Sequence, residues 1–325
     1  MTAGTVERYS LIDCQPPRQD TVQEVLVGLS RTPKHLSPKL LYDADGSALF
    51  DAITRQPEYY LTRAELSILS GIGTDLESLV DSDAVIVELG SGSGEKTRHL
   101  LGMLPTAPAY VAVDISATAL DGALDSLADE FPGRRFIGMV ADYLAPVALP
   151  PEIEDRPKLY VFFGSTLGNF EPPEAIEFLH RMALSLDPDD ALMIGIDLKK
   201  AHARIHQAYN DASGVTAAFN CNILNRINRD CGANFDLEDF HHEAEYQPEH
   251  GRVAMFLVCH RTHTVNVAGV EILFDAGERV TTEYSYKYSM DEFYALARQA
   301  GFSPVRSWTD SGETFSLHYL APDLA

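Results

Sequence analysis

Five short apolar runs recur between stretches with helical patterning: AVIVELG (84–90), YVAVDIS (110–116), RFIGMVADY (135–143), LYVFFG (159–164) and ALMIGIDL (191–198). This alternation constrains the fold more than any other feature of the chain. A strand covered on both faces needs continuous apolar character, whereas a strand wet on one side alternates. The rhythm therefore specifies an α/β protein, a mostly parallel sheet with helices on both faces. Helices are expected over 95–104, 117–131 and 172–186, the last opened by Pro172-Pro173, whose missing amide protons cost nothing in a first turn. Thr62-Arg63-Ala64-Glu65 reads as a capping box for a helix ahead of the first strand, and Ser289-Met290-Asp291-Glu292 as another, for a helix that Gly301 terminates. Strand-like runs at 303–308 and 314–320 bring the sheet to seven.

Two regions break the rhythm. Residues 1–60 lack a parallel-sheet pattern but carry the aromatic, turn-rich LLYDADGSALFDAITRQPEYYLTR at 40–63. Residues 199–288 form an insertion: a helical run, then strands expected at 252–260, 262–274 and 279–288. The expected organisation is one domain of 61–198 with 289–325, and a second α+β domain of 1–60 with 199–288 that faces the ligand edge of the sheet.

The charge balance narrows the partners. Lys and Arg number 25 against 48 Asp and Glu, a formal charge of -23, which repels polyphosphate and makes nucleic acid an unsuitable partner. No apolar run reaches the ~20 residues of a membrane span, and the first residues lack a basic and apolar leader. A cytoplasmic monomer without membrane contact is expected. Cys14, Cys221, Cys231 and Cys259 stand far apart without a C-x-x-C pair and read as free thiols. His241-His242-Glu243 is the densest histidine cluster, but adjacent residues point different ways, so it reads as solvated surface and no metal is expected.

The strongest local signal is Glu88-Leu89-Gly90-Ser91-Gly92-Ser93-Gly94, at the end of the first strand and leading into a helix. Such glycines let the backbone turn tightly and let a ligand approach it. Asp114, ending the second strand, can accept from both hydroxyls of a ribose. A dinucleotide loop and a phosphate-binding P-loop both require glycine where Glu95 stands. An ordinary glycine turn leaves Asp114 and Asp142 unexplained.

The spacing Glu88-x-Gly90-x-Gly92-x-Gly94 resembles motif I of class I S-adenosylmethionine-dependent methyltransferases, and Asp142-Tyr143 resembles their adenine-contacting pair. Five further stretches, LYDADGSALFDAITRQPEYYLTR, ELGSGSGEKTRHLL, FFGSTLGNF, AYNDASGVTAAFN and TEYSYKYS, resemble the histidine-specific N-alpha-methyltransferases of ergothioneine biosynthesis, from about residue 30 to the C-terminus. The resemblance implies S-adenosylmethionine as co-substrate and L-histidine as substrate, trimethylated on its α-amine to the betaine hercynine. It implies that Glu88, Gly90, Gly92, Lys96, Asp114, Asp142 and Tyr143 bind the cofactor. Tyr59 and Asn169 would hold the substrate amine and carboxylate, Tyr209 the carboxylate, and Gly164 would lie close to the reacting amine. Glu283 and Ser285 would bond the imidazole, in a pocket lined by Tyr42, Phe50, Thr216 and Met255. A methyltransferase for another small amine, or a non-catalytic cofactor-binding protein, shares the cofactor residues. Strand periodicity alone puts Glu283, Ser285 and Lys287 on one face, where an acceptor and a hydroxyl two residues apart can grip both nitrogens of one imidazole.

Overall fold

The computed structural model of the chain describes residues 8–14, 20–92, 94–145 and 147–323. Thirteen strands occur in it, β1 (Ser10–Asp13), β2 (Val85–Leu89), β3 (Ala109–Asp114), β4 (Arg135–Val140), β5 (Lys158–Phe162), β6 (Ala191–Asp197), β7 (Phe240–Gln247), β8 (Arg252–Cys259), β9 (His263–Val267), β10 (Val270–Phe274), β11 (Arg279–Tyr286), β12 (Phe302–Thr309) and β13 (Phe315–Pro322). Eight form one sheet in the order β1-β4-β3-β2-β5-β6-β13-β12, parallel except for β13, which runs antiparallel to β6 and β12. The chain steps outward from β2 through β3 and β4, then returns and steps the other way through β5 and β6. The order therefore reverses between β2 and β5, and a crevice opens beyond their carboxyl ends.

Every residue of β2 and β6 is buried, as continuous apolar runs demand. The expected seven strands gain an eighth, β1, which pairs with β4 at the edge. Its four residues alternate between half-buried and exposed, so it carries no apolar run to find. Helix Pro172–Ser185 starts at its two prolines behind a Glu171/Glu174 capping box, and helix Met290–Gln299 behind the Ser289/Glu292 box.

The capping box expected at Thr62 is absent. Helix Leu61–Leu69 begins at Tyr60 without a side-chain cap, because Glu65 turns inward to stronger partners, the Lys96 ammonium at 2.9 Å and the Gly164 amide at 3.0 Å.

The insertion begins with two helices, His202–Ala208 and Val215–Cys231, where one run was expected. Gly214 supplies a left-handed turn between them (φ 72°), and the Asp211 carboxylate takes the Val215 and Thr216 amides, each at 2.8 Å. Beyond them lie a three-stranded antiparallel sheet, β11-β8-β7, and the hairpin β9-β10. The run 262–274 is thus two strands, divided by Ala268-Gly269 with positive φ at both residues, as a two-residue hairpin turn requires. On β7, His242 is not solvated surface: its ring meets the Asn220 amide and the Tyr209 carbonyl, each at 2.9 Å.

The N-terminal segment lies on the insertion. Leu36 N donates to Thr281 O at 2.8 Å and Thr281 N to Lys34 O at 3.0 Å, while helix Ala44–Thr54 packs on Val215–Cys231. One face of the large sheet packs continuously from Ile86, Tyr110 and Met193 into Leu41, Phe219 and Met255. Four free cysteines are present, and among the described residues no helix is long and apolar enough to cross a membrane.

After β5 the chain turns sharply through Gly164 (φ 80°) and Ser165 (φ 59°), both left-handed, before the short helix Thr166–Asn169. Left-handed Ser165 is strained, and the turn is held from both sides: Glu65 takes the Gly164 amide, and Ser165 Oγ accepts from Asp197 N at 3.0 Å. Gly168 lies flat on β11, where a Cβ would stand 2.6 Å from the Tyr286 carbonyl oxygen. Gly168→Ala should therefore destabilise the protein by about 1–3 kcal/mol, seen as a lower melting temperature in a thermal scan; an unchanged melting temperature would show that this turn has room to spare.

Candidate active site

A cleft of about 1300 Å³ opens at the point where the strand order reverses, between the large sheet and the N-terminal segment with its insertion. Its lining includes Gly90, Gly92, Asp114, Asp142 and Tyr143 toward the sheet, Gly164 and Asn169 in the middle, and Tyr42, Phe50, Tyr59, Tyr209, Thr216, Met255, Glu283 and Ser285 toward the insertion. Fifteen of the seventeen residues expected from the sequence therefore face one space. Glu88 and Lys96 do not line it.

At the sheet end, Gly90 (φ 72°) and Gly92 (φ 53°) carry the chain from β2 toward helix Glu95–Met103. A Cβ on Gly92 would meet nothing within 4 Å, so backbone and open space adjoin there, as a ligand lying along the loop requires. Asp114 closes β3, with one oxygen on the Ser116 amide at 2.9 Å. Burial raises its pKa against the bonds from the Ser116 and Ile115 amides. Asp142 accepts from Leu144 N, and its other oxygen pairs with Lys39 at 2.9 Å, which ties the N-terminal segment across this end. The Tyr143 ring packs edge-on against Phe162, centroids 5.6 Å apart, and presents a flat apolar wall.

Glu88 lies outside the lining of the cleft. Its carboxyl, 2% exposed, accepts from Thr97 Oγ1 and Tyr110 Oη, each at 2.6 Å, and burial pushes its pKa up to about 7. Through Oε2 it fastens β2 to β3 and to the following helix. Lys96 is held by Glu65 below Gly164, its Nζ 3.2 Å from the place of a Gly164 Cβ.

At the other end, five aromatic rings make the walls. Tyr42 meets Phe50 at 5.7 Å and Phe219 at 5.5 Å, and Tyr59 meets Phe50 at 6.2 Å and Tyr209 at 6.5 Å, all edge-to-face. Such pairs add about 0.5–1.5 kcal/mol each beyond their buried area and hold the rings in fixed orientations. Burial drives the phenols of Tyr42 and Tyr59 well above their usual pKa, so both are neutral hydroxyls. Phe219 belongs to this wall although the sequence did not single it out; it lies in the quoted stretch AYNDASGVTAAFN.

Glu283 faces this aromatic box from β11. It is 6% exposed, and its one hydrogen-bond donor among the described residues is Asn169 Nδ2, at 3.5 Å. Burial lifts its pKa to about 7, opposed by the positive charge of Lys287. A buried carboxylate so poorly partnered is costly unless something else donates to it. Two residues on, Ser285 Oγ accepts from Tyr209 Oη at 2.8 Å. The site thus presents an acceptor and a hydroxyl side by side, inside an apolar wall.

A family model described as histidine-specific methyltransferase, S-adenosylmethionine-dependent, matches residues 21–322. The chain belongs to this family. The histidine N-alpha-methyltransferase of Mycolicibacterium smegmatis is 40% identical over 91% of this chain and 92% of its own length. Ergothioneine biosynthesis protein 1 of Neurospora crassa is 34% identical over 89% of this chain, which spans 33% of that longer protein. The 4-dimethylallyltryptophan N-methyltransferase of Trichophyton verrucosum is 30% identical over 98% of both chains. Family membership supplies the methyl donor, S-adenosylmethionine, and the sheet end of the cleft suits it: glycine backbone, two carboxylates and a tyrosine wall.

The Glu283 carboxyl titrates higher in the ligand-free fold than in the unfolded chain, where 4.5 is its ordinary value. Its contribution to stability is therefore intact below pH 4.5 and declines as pH rises through about 7. Glu283→Gln should stabilise the ligand-free protein at pH 8 by about 1–3 kcal/mol and leave it nearly unchanged near pH 4. Thermal melts at the two pH values check this, and an equal shift at both would contradict it.

Proposed function

We propose that the protein trimethylates the α-amine of L-histidine to hercynine, a step of ergothioneine biosynthesis, using S-adenosylmethionine. The observation that carries the reading is the buried acceptor and hydroxyl, Glu283 and Ser285, set inside the box of Tyr42, Phe50, Tyr59 and Phe219. Apolar walls suit any aromatic amino acid. The carboxylate suits only a ring that brings an N–H to it, and Ser285 adds a partner for a second ring nitrogen. In this reading residues 61–198 with 289–325 hold the donor, and the N-terminal segment with 199–288 holds the acceptor.

Each residue then has one task. Gly90 and Gly92 let the donor lie along the loop, Asp114 takes its ribose hydroxyls, and Asp142 and Tyr143 take its adenine. Lys96, beside Gly164, supplies a positive charge for the donor's carboxylate. Tyr59 and Asn169 orient the substrate amine and carboxylate, Tyr209 stands behind them with its hydrogen on Ser285 rather than on the carboxylate, and Thr216 and Met255 close the ring pocket. Gly164, lacking a Cβ, leaves the space in which amine and methyl meet.

S-adenosylmethionine brings an electrophilic methyl on a cationic sulfur. An ammonium has no lone pair to attack with, so the amine must shed a proton to solvent before each of three transfers. An α-amine has pKa ~8 in peptides and somewhat more in a free amino acid, so a small but usable neutral fraction exists near pH 7 and no strong base is required. The neutral phenol of Tyr59 and the amide of Asn169 can each give up a hydrogen bond as methyl groups replace protons on the nitrogen. Holding the amine ~3–3.5 Å from the methyl along the line of displacement supplies several kcal/mol of the barrier.

A second reading, an indole-bearing acceptor, draws on the tryptophan-derivative methyltransferase among the relatives. One buried carboxylate also suits an indole N–H, but the hydroxyl of Ser285 then has no ring partner. Mass spectrometry of the protein incubated with S-adenosylmethionine and each amino acid should show three successive methyl additions on histidine and little on tryptophan. Glu283→Ala should cut histidine turnover by ~10³-fold or more and narrow the gap to tryptophan; undiminished preference for histidine would remove Glu283 from ring recognition.

A further inference from the structure

Lys287 has no part in the reading above, yet it lies directly behind the ring-binding groups. It is 1% exposed, and its ammonium reaches Tyr209 Oη at 2.8 Å, Ser285 Oγ at 2.8 Å and Asp197 Oδ2 at 2.9 Å. An ammonium has three N–H bonds, and all three are used. Burial pulls its pKa down, but Asp197 and Tyr209 more than offset this, so it stays charged.

A hydroxyl can donate or accept as its surroundings require. Ser285 lacks that freedom. The Tyr209 phenol, 2.8 Å away, is the more acidic of the two hydroxyls and so gives its hydrogen to Ser285, while Lys287 gives another. The two acceptor positions of Ser285 Oγ are then filled, and its own hydrogen is left for the cleft.

We propose that Lys287 is a positioning residue that fixes Ser285 as a donor toward the cleft, so that the site takes the imidazole only in its neutral form, ring N–H on Glu283 and bare nitrogen on Ser285. The proposal rests on the placement of the imidazole given above. Without Lys287, Ser285 could accept, and two acceptors, one of them a carboxylate, would favour the imidazolium instead. Lys287 thus decides between two ring states that differ by one proton. The other titratable groups facing this point are Glu283 on β11, Asp197 at the end of β6 with Tyr60 and Lys200 on its far side, and the neutral phenols of Tyr42, Tyr59 and Tyr209.

Nitrogen NMR of ring-labelled histidine bound to the wild-type protein tests this between pH 5.5 and 8. The expected spectrum has one protonated and one bare ring nitrogen throughout, and affinity should fall as pH drops below ~6.5, approaching about tenfold per pH unit, because the free imidazole gains a proton. Two protonated ring nitrogens in the complex at pH 6 would overturn the proposal alone, while absence of histidine binding would overturn the substrate reading with it. Lys287→Met should raise the KM for histidine about 10- to 100-fold, leave kcat and the KM for the methyl donor within a few-fold, and show the imidazolium at pH 6. An unchanged KM with the wild-type ring spectrum would also refute it. Should this variant not fold, the wild-type spectrum decides by itself.

Discussion

Asp197, at the carboxyl end of β6 and wholly buried, is the junction on which the site depends. It receives the Lys287 ammonium from beyond β11, the Tyr60 hydroxyl from the N-terminal segment, and Lys200 from the start of the insertion. Its backbone amide holds the Ser165 turn that leads to Asn169. One carboxylate thus binds together the three parts of the chain that wall the cleft. Buried ion pairs add little net stability, because desolvation offsets their attraction, but breaking one by removing a partner costs about 3–5 kcal/mol. The value of this cluster is geometric: it sets the end of β11 at a fixed place relative to the sheet.

A second buried carboxylate, Glu65, does the same on the other side of the turn. It joins the Lys96 ammonium and the Gly164 amide, so the helix after β2 and the loop after β5 share one anchor. Gly164 and Ser165 are therefore gripped by the Glu65 carboxylate on one side and by the Asp197 backbone amide on the other. A left-handed, strained turn is sustained only when its surroundings over-determine it in this way. The outcome is a well-held floor in the middle of the cleft, of the kind that catalysis by positioning demands.

The sequence displayed the sheet because burial on both faces leaves no choice but continuous apolar strands. It concealed β1, which is half exposed, and gave no hint of β7, whose FHHEAEYQ turns charged side chains outward from a sheet covered on one side. Site residues on loops were found through local motifs, and their convergence on one cleft follows from strand order. The partners of Glu65, Glu88 and Asp197 were hidden for a different reason: a carboxylate chooses its cation or hydroxyl in space, so Glu65 could mimic a helix cap while serving Gly164. Lys287 left one trace, its two-residue step from Ser285 on a strand facing inward. A buried lysine must find an acid, and Asp197, at the end of an apolar run, was the acid in reach.

The central claim is that the cleft holds an imidazole ring against β11 and the amino group of the same molecule toward Gly164. A crystal structure with L-histidine and S-adenosylhomocysteine measures this directly. The account predicts ring nitrogens within hydrogen-bond distance of Glu283 and Ser285, and the α-nitrogen turned to the sulfur above Gly164. A histidine bound with its ring toward the sulfur and its amine on Glu283 would contradict it.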